Sequence, residues 1–320
     1  MNDLQHDKHI FTGEYLDRAA RLRTDAGYLE AARDDLQTRY VPVWRGKSLL
    51  AGGSKPRAVW LSVNELRTLG ADPADGIFLG LKDQQAVFAL EMQDAHGLAD
   101  QGEFLELWRT AQGLPRDEAG ILAYAKAMVE WHRTHRYCGR SGEPNVAASG
   151  GHLLLGGEGA RQFPRVDPAI IVLVAHDDRC LLGRQQTWPK EHYSTIAGFV
   201  EPGESLEDAV RREVWEETNV ELASVNYHSS QPWPFPSSLM VGYRAMAQTT
   251  DIRCNDQELA DARWFSREDL ASGFPRLPPT TSISFSLIES WFDEGAGPDL
   301  RQALGDRASD PAFGRRAGTE

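Results

Sequence analysis

The sequence predicts an α+β protein whose main domain is an α/β/α sandwich, a mixed β-sheet between helices, preceded by a smaller α+β domain. Short apolar runs bounded by turn residues alternate with segments of helical periodicity, which is typical of mixed sheets and helices. A glycine-rich loop that begins at Gly198 leads into an acidic helix, and a proline-rich aromatic segment follows before the next apolar run. With 320 residues, the chain is long enough to bury two cores.

Residues 1–130 are predicted to form the smaller domain, because their apolar runs are short and separated by turns. Strands are predicted at residues 40–44, 58–62, 76–81 and 86–90. Helices are predicted at residues 103–111 and 118–136. No catalytic motif occurs in this region, so we expect it to act as a scaffold, a dimerisation surface or a wall that shapes substrate access.

Residues 166–295 are predicted to form the main domain, joined to the first by a connector at 131–165. The continuous apolar run 169–175 predicts a buried strand, which turns at Asp177 and returns at 179–182. Further strands are predicted at 224–228, 239–247 and 262–265.

Two helices are predicted to close the main domain. Ser266 is the predicted N-cap of a short helix, and 283–292 is the predicted closing helix. The tail at 296–320 has few large apolar residues, so we expect it to be disordered.

The helix after the glycine-rich loop carries carboxylates where its buried side should continue. Its apolar stripe is marked by Leu206, Ala209 and Val210. Glu213 and Glu217 continue that stripe, and Glu216 flanks it. Clustered carboxylates repel one another unless cations lie among them, and oxygen ligands suit Mg²⁺ or Mn²⁺. We therefore predict a cation-binding cleft at the end of this helix rather than a solvated face.

Residues 230–238, with the sequence Ser-Gln-Pro-Trp-Pro-Phe-Pro-Ser-Ser, form a second unusual segment. Proline fixes φ and lacks an amide donor, so the segment is predicted to be rigid and extended, neither helix nor central strand. A proline-rich linker or a polyproline ligand has a similar composition, but this segment lies inside one predicted domain. A rigid loop that bears Trp233 and Phe235 beside a phosphate site is suited to holding a flat ring.

The loop and the acidic helix resemble the Nudix box, the signature of hydrolases that cleave nucleoside diphosphates linked to another group. The matching residues are Gly198, Glu204, Arg212, Glu213, Val214, Glu216, Glu217 and Val220. Asn219 departs from the pattern, because the family has glycine there. That glycine ends the helix in a left-handed conformation, which asparagine tolerates next best, so we expect the site to survive the change.

Residues 230–238 match the SQPWPFPxS motif of the NADH pyrophosphatase branch of this family. The resemblance runs from about Arg133 to Trp291 and is looser before it. It implies the Nudix sandwich fold and cleavage of NADH or NAD⁺ to nicotinamide mononucleotide and AMP. The resemblance also implies a second activity seen in the family, the removal of NAD caps from RNA 5′ ends. It also implies a homodimer and two or three Mg²⁺ or Mn²⁺ ions at each site.

The resemblance assigns metal-binding roles residue by residue. Ala197 resembles the position whose backbone carbonyl binds a metal, and Glu213 and Glu217 resemble side-chain ligands. Glu216 resembles a ligand or a catalytic base. Glu258 resembles a later acidic ligand, although it also fits a surface charge before a strand. One of the three box glutamates removes the proton of the attacking water, and the sequence does not choose among them.

Structural and substrate roles follow from the same resemblance. We expect Arg212 to pair with Glu204 and so hold the loop of Gly198 against the helix. The residues that resemble substrate contacts in the second motif are Gln231, Pro232, Trp233, Pro234, Phe235, Pro236, Ser237 and Ser238. Phe163 stands where the family usually has a tyrosine, so ring stacking is kept and a hydroxyl contact is lost. Arg109 is a further candidate contact, for which a solvated helix arginine is the simpler interpretation.

The connector resembles a zinc ribbon that has lost its ligands. The family pattern calls for two Cys-x-x-Cys pairs, but Cys138 is the one cysteine present there, and Ser141 stands at the second position of its pair. The second pair would fall near Leu155 and Glu158. Structural zinc needs four good N or S ligands, so we predict no zinc and expect apolar residues at 153–155 to hold the segment. The alternative is a different site built from His132, His135, Cys138 and His152.

Composition restricts the setting of this chemistry. Three widely separated cysteines suit a reducing compartment, and the N-terminus lacks the features of a signal peptide, so we expect a cytoplasmic protein. There is no run of eighteen apolar residues, so no membrane span is expected. The net charge of −13 disfavours broad RNA binding, but it permits recognition of one 5′-terminal nucleotide through bound cations.

Several rival functions can be weighed on the sequence. The chain has neither a phosphate-binding P-loop nor a Gly-x-Ser-x-Gly nucleophile turn. An ADP-ribose hydrolase is disfavoured by the Pro-Trp-Pro-Phe segment, and a non-catalytic nucleotide sensor is disfavoured by the full set of box acids. An enzyme whose chief substrate is NAD-capped RNA would share every catalytic residue, so that alternative stays open.

Overall fold

The computed structural model describes residues 9–255 and 258–305, which divide into two compact units. The described part of the C-terminal unit comprises residues 9, 167–231, 238–255 and 258–305. The N-terminal unit comprises Ile10–Val166 and the short segment Pro232–Ser237. The chain therefore leaves the C-terminal unit after Gln231 and returns at Ser238.

The N-terminal unit is built on a mixed sheet in the order β3-β2-β1-β5-β4, with β6 paired to β2. The strands are β1 (Arg39–Trp44), β2 (Lys47–Ala51), β3 (Arg57–Ala58), β4 (Ile77–Lys82), β5 (Gln85–Glu91) and β6 (Glu103–Leu105). The helices are α1 (Ala26–Asp34), α2 (Val63–Thr68), α3 (Leu107–Thr110) and α4 (Arg116–Thr134). The parallel pairing of β1 with β5 joins two antiparallel parts of the sheet.

Alternating side chains of this sheet bury two separate cores. Val41 and Val87 pack with the apolar residues of α4, whereas Tyr40 and Phe88 pack on the opposite face with those of α1 and α2. This alternation is what a strand dictates, because successive side chains point to opposite faces.

One predicted element of this unit is wrong, and another is confirmed only in part. The helix predicted at 103–111 is instead β6 followed by the single turn of α3, because residues 103–105 pair with β2 and bury Phe104. The strand predicted at 58–62 is present in part: Ala58 ends β3 and Leu61 forms an isolated antiparallel bridge with Tyr40. Ser62 then caps α2 by accepting a hydrogen bond from the Glu65 amide.

The connector forms a small antiparallel sheet of β7 (Val146–Ala148), β8 (Leu153–Leu155) and β9 (Arg161–Gln162). Cys138 is buried, and Gly156 approaches it so closely that a Cβ there would lie 2.6 Å from its Sγ. Leu153 and Leu154 are buried, whereas Leu155 is exposed. Two of the residues considered as alternative zinc ligands contact backbone carbonyl oxygens. The Nε2 of His132 lies 2.7 Å from the Gly151 oxygen, and the Nε2 of His152 lies 2.7 Å from the Phe78 oxygen.

The C-terminal unit is a mixed sheet in the order β13-β14-β10-β11-β15, with β12 paired to β10. The strands are β10 (Asp167–His176), β11 (Arg179–Gln185), β12 (Ile196–Phe199), β13 (Leu222–Trp233), β14 (Ser238–Ala247) and β15 (Leu259–Ser266). The helices are α5 (Leu206–Thr218), α6 (Arg267–Ser272), α7 (Ile283–Phe292) and α8 (Leu300–Leu304).

Helices cover both faces of this sheet, which confirms the predicted sandwich. From β10, Ile170 and Val172 pack with the apolar residues of α5, while Ile171 and Leu173 pack with those of α7 and α8. The closing helix has the predicted bounds, and Ser266 caps α6 as predicted.

The predicted disorder of the tail is wrong for the part that can be described. Residues 300–304 form α8, whose Leu300 and Leu304 are buried in the core on the α7 side. These two apolar residues are enough to dock one helical turn. Residues 306–320, which the same prediction covers, lie outside the described residues.

In the described part of the chain, no helix has both the length and the hydrophobicity that crossing a membrane requires.

Candidate active site

The helix that carries the box carboxylates is fixed at both ends by its own residues. Ser205 accepts a hydrogen bond from the Asp208 amide at 3.1 Å and so caps the first turn of α5. Asn219 ends the helix with φ of 63°, the left-handed conformation expected from the glycine it replaces. Between these caps, Ala209, Val210 and Val214 are fully buried against the sheet.

The buried face of α5 ends in carboxylates. Glu213 is 9% exposed and Glu217 is 4% exposed, whereas the side chain of Glu216 is 44% exposed. The prediction that Glu213 and Glu217 continue the apolar stripe and that Glu216 flanks it is therefore confirmed. Burying a carboxylate is costly unless other groups stabilise its charge, so this end of the helix has a local reason to attract cations.

Gly198 lies directly beneath the carboxylate of Glu213. Pairing of β12 with β10 sets Ala197 opposite Ile171 and Gly198 opposite Ile170, beside α5. A Cβ added to Gly198 would lie 2.0 Å from the carboxyl carbon of Glu213 and within 2.2 Å of both its oxygens. Only glycine leaves room for the acid, which gives a steric reason for glycine at the first box position.

Arg212 ties the glycine-rich loop to the helix. Its Nε donates to Glu204 Oε1 at 2.5 Å and its Nη2 donates to Glu204 Oε2 at 2.9 Å, so the predicted pairing is present and bidentate. The same Nη2 donates to the carbonyl of Phe199 at 2.9 Å. Nη1 donates to Glu213 Oε1 at 2.8 Å and to Glu216 Oε2 at 3.0 Å. One guanidinium therefore orients two box acids and fixes the loop.

The acids of the site have opposite electrostatic environments. Hydrogen bonds from Arg212 lower the pKa of Glu204 to about 2. Burial raises the pKa of Glu213, and the negative charges of Glu216 and Glu258 raise it further, against the hydrogen bond from Arg212. Glu204 is thus held as an anion for structure, while the surroundings of Glu213 disfavour its charge, which a neutralising partner would stabilise.

The electrostatic effect of Glu258 on Glu213 places that residue in the neighbourhood of the box acids. It lies on an exposed loop immediately before β15. The sequence indicated Glu258 through the family resemblance and not through any pattern among its neighbours.

Three buried hydroxyl groups secure the start of β12 to α7. Ser284 Oγ lies 2.8 Å from both Ser194 Oγ and Thr195 Oγ1, and it accepts a hydrogen bond from the Thr195 amide at 3.3 Å. The cluster lies just before Ala197 and Gly198 in the chain, so it fixes the strand that presents them. Sequence reasoning missed it, because single serines and threonines give no pattern.

The oxygen atoms of the site fit a hard divalent cation. Glu213 and Glu216 each offer one oxygen to Arg212, and the second oxygen of each accepts no hydrogen bond from the described residues. Carboxylate and carbonyl oxygens suit Mg²⁺ or Mn²⁺. In the described ranges, no three acidic, histidine or cysteine side chains already converge as a metal-binding group. The donors are present, but cation binding would require some of them to reorient.

The proline-rich motif divides between the two units. Gln231 is fully buried in the C-terminal unit, where its amide donates to the Thr281 carbonyl at 2.9 Å and accepts from the Ile283 amide at 2.8 Å. These contacts cap the start of α7. The following residues 232–237 pack in the N-terminal unit, and residues 234–237 form the turn between β13 and β14. Trp233 and Phe235 contact each other there, with ring centroids 5.1 Å apart.

The remaining candidate contacts lie on the surface of the N-terminal unit. Phe163 follows β9 and is 66% exposed. Arg109, on α3, is exposed and stacks over the ring of Trp108 at 4.9 Å. A further exposed aromatic residue, Phe199 in the C-terminal unit, adjoins Gly198 and was not singled out from the sequence. Its position directly after the box glycine was the signal that could have identified it.

Comparison with known proteins gives two family matches on this chain. The family model described as a NUDIX domain matches residues 164–285. A second, described as an NADH pyrophosphatase-like rudimentary NUDIX domain, matches residues 37–131. Both matches fall on regions that the structure folds as a sheet packed with helices.

Three similar proteins have been named for their activities. The NAD-capped RNA hydrolase NUDT12 of Macaca fascicularis is 31% identical, over 91% of this chain and 74% of its own length. The NAD-capped RNA hydrolase NudC of Mycobacterium bovis is 35% identical, over 86% of this chain and 92% of its own. The mitochondrial NAD(P)H pyrophosphatase NUDT13 of Homo sapiens is 35% identical, over 77% of this chain and 72% of its own.

Proposed function

The chain belongs to the Nudix hydrolase family, and we propose that it hydrolyses the diphosphate bond of NADH or NAD⁺ to nicotinamide mononucleotide and AMP. The observation that carries this proposal is the pair of buried carboxylates, Glu213 and Glu217, at the end of α5, with Glu213 packed on Gly198. The names of the similar proteins support the substrate class, since each acts on NAD-capped RNA or on NAD(P)H.

The groups that would hold divalent cations are all oxygen donors. They are the backbone carbonyl of Ala197 and the carboxylates of Glu213, Glu216, Glu217 and Glu258. Two or three Mg²⁺ or Mn²⁺ ions, when bound, would neutralise the diphosphate and make a bound water more acidic. Zinc is not expected among these donors, because it favours nitrogen and sulfur ligands.

The residues of the chain then have distinct tasks. One of Glu213, Glu216 and Glu217 accepts the proton of the attacking water as it adds to phosphorus. Arg212 keeps Glu213 and Glu216 oriented, and Glu204 keeps Arg212 in place through its bidentate pair. Positioned acids of this kind lower the barrier because they need no rearrangement during the reaction.

The second motif provides the contacts with the substrate. Residues 232–238, with Trp233 and Phe235, would pack against a ring of the dinucleotide, and Phe163 and Arg109 are proposed as outer contacts. Gln231 is buried and bonded to the start of α7, so we assign it the task of anchoring this segment rather than touching the substrate.

The setting is proposed on the same basis. We propose a cytoplasmic homodimer that requires no membrane, and a second substrate, the NAD-capped 5′ end of RNA. The observation that favours this second substrate is the likeness to NUDT12 and NudC, which are named NAD-capped RNA hydrolases. ADP-ribose is the dinucleotide fragment against which selectivity should be measured.

The experiment is product analysis by chromatography and mass spectrometry. Pure protein is incubated with NADH, with NAD⁺, with ADP-ribose and with an NAD-capped transcript, each with Mn²⁺ and with a chelator. We expect AMP and reduced nicotinamide mononucleotide from NADH when Mn²⁺ is present and none after chelation. Turnover of ADP-ribose in preference to NADH, or no release of AMP from any substrate, would contradict the proposal.

A further inference from the structure

Residues 232–237, here called the substrate loop, comprise the end of β13 and the turn that follows it, and side chains of the N-terminal unit hold them. Phe11 makes edge contacts with both aromatic residues of the loop, at centroid distances of 6.1 Å to Trp233 and 5.9 Å to Phe235. With the contact between Trp233 and Phe235, these rings form a closed cluster of three in the core beside α4. Aromatic pairs in such geometry stabilise one another beyond the apolar area they bury.

A lysine lies against this cluster. Lys126 is on α4 and is 8% exposed, and its Nζ lies 5.5 Å from the centroid of the Phe235 ring. Nζ donates one hydrogen bond, at 3.0 Å, to the carbonyl of Gly46 in the turn between β1 and β2. Within the described residues, no carboxylate lies within ion-pairing distance of Nζ. Lysine is rarely buried without a paired charge, so a specific task for this cation is called for.

The position of Lys126 joins three parts of the unit. Its ammonium links α4 to the turn at Gly46 and to the ring of Phe235. A cation over an aromatic face is attracted more strongly when both are shielded from water. Burial lowers the pKa of Lys126, while Glu106 and Glu130 act in the opposite direction. An apolar residue of similar length could fill the space, but it could neither satisfy the Gly46 carbonyl nor attract the ring.

We propose that the rudimentary domain serves catalysis by fixing the substrate loop, with Lys126 and Phe11 as its positioning residues. The loop would then be preorganised for the nicotinamide end of the substrate, and its ordering would not have to be driven by binding. This inference rests on the proposed function, because it takes residues 232–238 as contacts for a ring. It gives the N-terminal unit a role in substrate selectivity although that unit carries no box acid.

The test uses the full-length protein with two variants and a matched control. Lys126→Met removes the cation and keeps the length of the side chain, and Lys126→Arg restores a cation. The control is Arg18→Met, which removes a cation from another aromatic ring of the N-terminal unit. The guanidinium of Arg18 lies 4.2 Å from the centroid of the Tyr124 ring, and Tyr124 is on α4, as Lys126 is. Kinetic constants are measured for NADH and for ADP-ribose, which lacks nicotinamide, and the melting temperature of each variant is recorded.

For Lys126→Met we expect the KM for NADH to rise about fivefold, with kcat nearly unchanged and the constants for ADP-ribose unaffected. Lys126→Arg should recover most of the loss, and Arg18→Met should leave both KM values as they are. Unchanged KM for NADH in Lys126→Met, or equal losses on both substrates, would overturn the proposal.

A third variant, at a different residue, guards against misfolding. Phe11→Leu keeps an apolar side chain and removes the edge contacts with Trp233 and Phe235, so it should reproduce the selective rise in KM even if Lys126→Met does not fold. Unchanged KM in Phe11→Leu would count against the proposal as well. If the wild-type protein releases no AMP from NADH, the proposed function itself has failed, which is a different outcome from normal wild-type activity with insensitive variants.

Discussion

A single methyl group added at residue 198 would collide with the carboxylate of Glu213. We predict that Gly198→Ala lowers NADH hydrolysis about tenfold or more, because its Cβ would displace the carboxylate of Glu213 and a small misplacement of a catalytic group is costly. The accompanying loss of stability should lie at the low end of the about 1–3 kcal/mol usual for overpacking, because the colliding carboxylate is the far end of a flexible side chain. Steady-state kinetics and urea unfolding measure the two effects.

The matched control is Gly139→Ala, where an added Cβ meets no atom within 4 Å and φ is not in the left-handed region. It should leave activity unchanged. Normal activity in Gly198→Ala would show that Glu213 does not need the position it occupies in the structure.

Glu217 is the most deeply buried of the three box acids. We predict that Glu217→Gln lowers kcat by about three orders of magnitude, since it removes one charged ligand from the cations at the diphosphate. The variant keeps the size of the side chain, so its fold should be intact by circular dichroism. Glu221→Gln, at an exposed position just beyond the helix, is the control and should retain full activity. A Glu217→Gln enzyme with near-normal turnover would remove this residue from the mechanism.

At the scale of elements, the pair of Glu204 and Arg212 joins the glycine-rich loop to α5. The folded-state pKa of Glu204 is about 2, below the ordinary value of 4.5. A carboxylate with a depressed pKa stabilises the fold fully above its unfolded pKa and loses that contribution as the pH falls toward its folded pKa. The pair should therefore stabilise the protein at neutral pH and weaken progressively from about pH 4.5 to pH 2.

The measurement is the difference in urea midpoint between the wild type and Glu204→Gln as a function of pH. We predict a constant difference above pH 5 that shrinks below pH 4.5, because protonation abolishes the pair in the wild type alone. Other carboxylates titrate equally in both proteins and cancel. A difference that does not change with pH would mean that the carboxylate charge contributes nothing to holding the loop.

Elements were predictable where their signals are local. The box helix carries its apolar stripe, its acids and its C-terminal residue Asn219 within one stretch, so its buried face and its end could be read directly. Residues 103–111 contain helix-forming residues too, but the pairing of 103–105 with a distant strand decided their structure. The close approach of Gly198 to Glu213 depends in the same way on strand pairing, so the sequence indicated the residues and not the contact.

At the scale of the whole molecule, two compact units and the sandwich could be expected from composition and periodicity. The division of the proline-rich motif between the two units could not be predicted from the sequence. Phe11 and Lys126 lie far from Phe235 in sequence, and each alone is an unremarkable apolar or charged residue. Phe11, Lys126 and Phe235 come into contact only when the N-terminal unit is folded. The placement of α8 was missed for a similar reason, because its two leucines matter only once a core receives them.

The proposed function depends on buried acids at the end of α5, which would gather divalent cations that activate water against a diphosphate. The most direct measurement is anomalous diffraction from crystals of the protein grown with Mn²⁺ and a non-hydrolysable dinucleotide. We predict Mn²⁺ peaks within ligand distance of Glu213, Glu217 and the Ala197 carbonyl, in contact with the diphosphate oxygens. Clear density for the dinucleotide with no Mn²⁺ peak at these residues would contradict it.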